Sequence, residues 1–384
     1  MRFSNLFRDF TNSEKAGGLV LLGCTVLSLF IANSSCGPAY LQIWHMKAGL
    51  PGLDLSIEQW INDGLMAVFF LLVGLEIERE IYVGELHDVR AAGLPVAGAL
   101  GGMVVPAAVY WWFNHQTATA SGYGIPMATD IAFALGMLSL LGRRVPHSLR
   151  VFLTALAIID DLGAIFVIAL FYNSGIAWGW LGAAAGIFGL LLLLNRLQVN
   201  RLIYFFLPGV LLWYCMMRSG VHPTLAGVLL AFAIPFRRHD DANPSYRLQH
   251  WLHKPVAFIV LPVFALANTG IVLNDHWYYN LGSPHSLGIV AGLVIGKPVG
   301  ILLFCGLLVM LGAGRLPSGV SWKQLAGAAL LGGIGFTMSI FIANLAFSDP
   351  GFIQFSKLAV LVASVIASVL GLCFLALVTR RRRR

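Results

Sequence analysis

Long apolar stretches recur along the chain, separated by short polar links. A membrane span needs about 20 mostly apolar residues. Twelve stretches are candidates: 15–33, 58–79, 93–113, 121–141, 148–172, 178–195, 202–218, 222–236, 250–273, 286–311, 325–347 and 355–379. The pattern predicts an all-α polytopic membrane protein of twelve helices. With links this short, residues 1–384 are expected to form a single integral membrane domain. Residues 41–59 alternate about a Gly-Leu-Pro-Gly turn and predict an external β-hairpin, with an irregular loop as the alternative.

Composition agrees. The chain is 58% hydrophobic and 11% charged, with mean hydropathy +0.80. Soluble domains are about 25% charged, so the solvent for this surface is lipid. The N-terminal segment and alternate links hold Arg2, Arg8, Lys15, Arg90, Arg143, Arg144, Arg150, Arg196, Arg201, Arg237, Arg238, Arg247, Lys254, Arg315 and Lys323. The other side holds Lys47, Arg218 and Lys357. Positive charge stays cytoplasmic, so both termini are expected inside. This asymmetry accounts for the net charge of +8, so no nucleic-acid partner is implied. The run Arg380–Arg384 reads as an anchor against membrane lipid. No cleaved signal peptide is expected. The 5 cysteines are scattered, with no paired or metal-binding spacing, and read as small packing residues.

Few charges escape the links. Asp130, Asp160, Asp161 and Lys297 fall inside spans, with Asp63 and Glu76 nearer span ends. Glu78, Arg79 and Glu80 close the second span at its cytoplasmic end. A mid-span charge costs roughly 2.5–3.5 kcal/mol on insertion scales and marks an ion or proton path by default. A salt bridge that only holds the bundle is the alternative, above all for Lys297. One lysine neutralises only one carboxylate. Adjacent helical residues point about 100° apart, so one of Asp160 and Asp161 could meet Lys297 while the other faces an ion. Hard carboxylate oxygens suit a hard cation, and two close carboxylates repel, which favours a proton on at least one.

Two spans are interrupted by glycine. "GYGIPMATDIAFALG" (122–136) places Gly122, Gly124 and Pro126 before Thr129 and Asp130. "GGIGFTMSIFIANLAF" (332–347) places Gly332, Gly333 and Gly335 before Thr337. "GGMVVP" (101–106) and "GKPVG" (296–300) also stand at corresponding places in the third and tenth spans. Spans 3–5 and 10–12 would then be inverted-topology repeats, with broken spans 4 and 11 placing a site at the midplane. Asp130 would balance the positive half-helix ends and Lys297 the negative ones.

Six stretches carry a resemblance: "WINDGLMAVFFLLVGLEIERE" (60–80), "IPMATDIAFALG" (125–136), "ALAIIDDLGAI" (155–165), "SGVHPTLAGV" (219–228), "GKPVGI" (296–301) and "GIGFTMSIFIANLAF" (333–347). Together they closely resemble the bacterial NhaA sodium/proton antiporters. The resemblance covers nearly the whole chain. It implies twelve helices, with spans 4 and 11 unwound and crossing. Asp161 and Thr129 would bind Na+ or Li+. Asp160 would bind protons or cation and pair with Lys297, and Asp130 would compensate the dipoles. Glu76, Arg79 and Glu80 match a cytoplasmic pH-response cluster, and His222, His250 and His253 match positions linked to it. A homodimer in the bacterial inner membrane is implied, with the external hairpin at the contact. Two residues depart from better-studied members: Gln249 stands where they have an acid, and Glu78 where they have a base. His250 and His253 also have a plainer reading, as solvated residues of a basic loop.

The expected function is therefore electrogenic Na+(Li+)/H+ antiport by alternating access, exporting sodium for pH and sodium homeostasis. Na+, Li+ and H+ are cargo, and no cofactor and no enzyme activity are expected. The rival is a sodium-coupled solute symporter, which needs a second pocket for an organic solute. An intramembrane aspartyl protease needs its carboxylates on two facing helices. "GLVIGKPVG" has the wrong spacing for a phosphate-binding loop, and a cation channel needs filter rings from several subunits.

Overall fold

A computed structural model describes residues 2–49, 53–84, 89–172, 175–236, 243–273 and 277–380. Arg237, Arg238, Arg381–Arg384 and the turn at 50–52 lie outside the described residues, as do the side chains of Arg2, Arg8, Lys15, Arg90, Arg143 and Arg380. Among the described residues there is no strand, and 8 helical stretches are long and apolar enough to cross a membrane. The pair Trp322–Gly332 and Phe336–Ala346 adds a span bent by 45°. The protein is an all-α polytopic membrane protein.

The sequence reading needs correction at two places. The expected hairpin reduces to one antiparallel bridge, Lys47 to Ser56, flanked by the hydrogen bonds Ala48 N–H to Leu55 O and Ile57 N–H to Met46 O, each 3.0 Å. Leu41–His45 instead ends a helix that starts at Gly37 with Pro38 in its first turn, where a missing N–H costs nothing. The eighth predicted span contains only a 9-residue helix, Leu225–Ala233. Pro223 and Pro235 bracket it, and proline disfavours helix on its N-terminal side.

The chain clusters into two compact units. The first comprises Met1–Asn33, Asp88–Ala164 and Asn268–Arg384. Within it, Val89–Asn114 packs along Lys297–Met310, and Trp322–Gly332 packs on Pro350–Arg380. Gly101 and Gly300 meet across the first pair, and a Cβ on either would strike the other's carbonyl oxygen. The motifs "GGMVVP" and "GKPVG", matched on the sequence, thus touch backbone to backbone. Just before Lys297 the helix widens into a π-turn, Gly292–Gly296, where Lys297 N–H bonds Gly292 O. Pro298 follows, and its missing N–H makes a regular ladder impossible there.

The second unit comprises Ser34–His87 and Ile165–Ala267. Met66–Val83 packs on Leu225–Ala233, and Trp178–Arg196 on Ile203–Ser219. A π-turn, Trp60–Leu65, leads into Met66–Val83. Trp213 donates its ring N–H to Asp63 O at 2.9 Å and stacks on Trp60.

Candidate functional site

The broken helices of the first unit assemble the site. Ala120–Met127 forms tight helical turns, the backbone extends through Ala128 and Asp130, and a regular helix resumes at Ile131. Trp322–Gly332 stops at Gly333 and Phe336–Ala346 starts after Gly335, but both glycines keep helical rather than extended backbone. The two breaks meet directly, with Asp130 N–H donating to Ile334 O at 2.7 Å. Helix ends leave N–H and C=O groups without intrahelical partners, and the side chains predicted from the sequence lie on those groups.

Asp130 serves the two N-terminal ends. Its Oδ1 accepts Phe133 N–H at 2.9 Å, capping the helix it begins. Its Oδ2 accepts Thr337 N–H at 3.1 Å and also the Thr337 hydroxyl. One carboxylate thereby faces the positive ends of two half-helices. Lys297 Nζ donates to Met127 O, at the carbonyl end of the turns before the break. Thr129 Oγ1 donates toward Gly332 O at 2.9 Å, at the carbonyl end of Trp322–Gly332.

Asp160 and Asp161 come from the unbroken helix His147–Phe171. Lys297 Nζ lies 2.8 Å from Asp160 Oδ2. Thr129 Oγ1 is 2.7 Å from the same oxygen. Asp160 Oδ1 is buried with no hydrogen-bond partner among the described residues. Asp161 also acts electrostatically on Lys297. Burial is nearly complete: Thr129, Asp160 and Lys297 are 0% exposed, Asp161 1% and Asp130 2%. A hydroxyl carries one proton, so Thr129 cannot serve Asp160 and Gly332 fully at once. If its proton turns to Gly332, its lone pairs face the Asp160 carboxylate, and the Thr129 hydroxyl then adds a neutral hard oxygen beside those of the two carboxyl groups.

The second unit holds the predicted pH-response residues. Glu76 shares a side-chain hydrogen bond with Gln249. Glu78 is buried, and the Ser245 hydroxyl donates to its Oε2 at 2.9 Å. Arg79 pairs with Glu80 at 2.9 Å. His253 is partly buried within electrostatic reach of Arg79, His250 and Lys254, whereas His250 is exposed. Both departures thus have partners: Gln249 on Glu76, and Glu78 on Ser245. His222 belongs to a different group. Its Nε2 lies 3.6 Å from Asp63 Oδ1 and its Nδ1 is 2.7 Å from Thr224 Oγ1.

Sequence reasoning placed Thr337 at a break without assigning it to the site, and overlooked Ser245. Thr337 had a readable signal, its place after a glycine break matching that of Thr129. Ser245 had none.

Comparison with known proteins adds a family. The family model described as Na+/H+ antiporter 1 matches residues 8–375. A Na(+)/H(+) antiporter NhaA of Cytophaga hutchinsonii is 54% identical over 375 residues, covering 98% of this chain and 96% of the relative. One of Dechloromonas aromatica is 56% identical over 379 residues, covering 97% and 96%. One of Flavobacterium psychrophilum is 55% identical over 371 residues, again covering 97% and 96%.

Proposed function

This chain belongs to the Na+/H+ antiporter 1 family and exchanges sodium ions for protons across a membrane, and we propose that the exchange runs through Asp160 and Asp161. The observation that carries this reading is the buried contact of Lys297 with Asp160, with Thr129 on the same oxygen and Asp161 next in the chain. Without cation, the Lys297 ammonium neutralises Asp160. Na+ or Li+ then enters as cargo between the carboxylates, with the Thr129 hydroxyl oxygen as a neutral ligand. Protons take the same oxygens in the other half of the cycle. Neither occupant is favoured when the other fills the site, so the two alternate. If both carboxylates carry protons inward for each monovalent cation carried outward, one net positive charge moves inward per cycle, and the exchange is electrogenic.

Asp130 holds the breaks together during this cycle by neutralising the half-helix ends it touches. We assign the rest of the architecture on the same footing: a single transporter domain of twelve spans, with spans 3–5 and 10–12 as inverted repeats that alternate access around broken spans 4 and 11. The basic residues on alternate links support cytoplasmic termini in a bacterial inner membrane. Membrane lipid and a second copy of the chain are the proposed partners, and sodium and pH homeostasis the proposed role. Glu76, Glu78, Arg79, Glu80 and His253 form a gate that adds to the pH response. The test of electrogenic exchange is Na+-driven proton movement in reconstituted vesicles under an imposed potential. A rate that follows the potential supports the reading, and a rate indifferent to it contradicts it.

A further inference from the structure

The half-helix Phe336–Ala346 begins at Gly335, a residue with no side chain to cap it. Its first N–H groups are buried and need acceptors from elsewhere. Thr337 N–H finds Asp130 Oδ2 at 3.1 Å. Phe336 N–H finds the Ser364 hydroxyl, also at 3.1 Å, on the long helix Pro350–Arg380. Ser364 is 3% exposed. No requirement of its own helix calls for a hydroxyl there, since helix interiors satisfy their own backbone. From it a bonded path runs toward the cation site. Ser364 holds Phe336, Phe336 is followed by Thr337, Thr337 holds Asp130, and Asp130 follows Thr129, which bonds Asp160.

We infer that Ser364 is a positioning residue for ion exchange, fixing the first turn of Phe336–Ala346 and through it the pose of Asp130 and Thr129. This rests on the reading of Asp160 and Asp161 as the exchange site. Without the Ser364 hydroxyl, Phe336 N–H is left buried with no acceptor, and the turn tilts to find one. Thr337 moves with it, because it is the next residue in the same turn. The carboxylate and hydroxyl beyond it lose the spacing that suits a small bare cation. The effect falls on cation affinity, which depends on that spacing, more than on the number of working molecules.

Ser364→Thr keeps the hydroxyl, and Ser364→Val replaces it with a methyl at equal size and branching. Ser368→Ala is the control: that hydroxyl donates to Ser364 O within its own helix and makes no bond to the half-helix start. The measurement is Na+-driven proton movement in vesicles, resolved into apparent KM and maximal rate. Ser364→Val should raise the apparent KM for Na+ by about threefold or more, the consequence of one buried donor left without an acceptor. Ser364→Thr should stay near the parent, and Ser368→Ala should leave KM unmoved. Equal KM values in the Val and Thr variants overturn the proposal, as does a Val variant that loses maximal rate alone. Asp161→Asn, run alongside, separates the two readings. Normal exchange in that variant defeats the site assignment, whereas equal Val and Thr values beside a silent Asp161→Asn defeat only the role of Ser364.

Discussion

The Lys297 ammonium lies 2.8 Å from Asp160 Oδ2, and neither side chain is exposed to any degree. A charge pair this deep gains little over apolar packing, yet removing one partner costs about 3–5 kcal/mol, because the other is left charged and buried. Lys297→Ala should therefore lower thermal stability and alter the pH dependence of exchange. Asp160→Asn combined with Lys297→Gln removes both charges and should recover stability relative to Lys297→Ala. Detergent-solubilised melting curves check this. A double variant no more stable than Lys297→Ala shows that the pairing does not hold the fold.

Thr337 gives Asp130 two of its hydrogen bonds, one from the backbone and one from the hydroxyl. Hydrogen bonds to a charged group contribute about 1.5–3 kcal/mol each. Thr337→Val should lower the melting temperature and raise the apparent KM for Na+, and Thr337→Ser should restore both. The measurement is the melting curve together with the Na+ dependence of exchange. A serine variant as impaired as the valine variant would mean that packing, not the hydroxyl, matters there.

The order of these contacts shows what the sequence could and could not carry. Lys297 is the one lysine mid-span, and it stands against a carboxylate pair, so its pairing with one of Asp160 and Asp161 was legible from charge alone. The glycines around Thr129 and Thr337 marked both breaks, because a helix that stops mid-membrane needs residues that tolerate it. Which carboxylate met the lysine was not legible, since adjacent helical residues differ only in direction. That Asp130 faces the half-helix ends was expected, but that it would bond Thr337 in particular was not legible, because that residue lies some 200 positions away in the chain. Ser245 and Ser364 looked like ordinary small residues, and only their tertiary neighbours distinguish them. The Leu225–Ala233 helix was misjudged in length because apolar composition ran past the prolines that end it.

Competition between H+ and Na+ for Asp160 and Asp161 predicts a specific pH response. At low pH protons occupy the carboxylates and Na+ cannot displace them. At high pH the proton supply becomes limiting, so activity falls on both sides. Raising Na+ should therefore move the acid limb of the profile to lower pH. An acid limb that stays fixed at saturating Na+, and moves only when Glu76, Glu80 or His253 is replaced, would place control in the second cluster instead. Gln249 cannot titrate beside Glu76, so Gln249→Glu should add acid sensitivity only if that cluster gates transport.

The most direct measurement concerns Asp161. Asparagine keeps the size of the side chain and removes the negative charge that a bare cation needs. Vesicles containing Asp161→Asn, with a proton gradient imposed and Na+ or Li+ then added, report exchange as collapse of that gradient. The account predicts no cation-driven proton movement at any pH between the two limbs, with the protein still folded and inserted. Near-normal proton movement in that variant would contradict it.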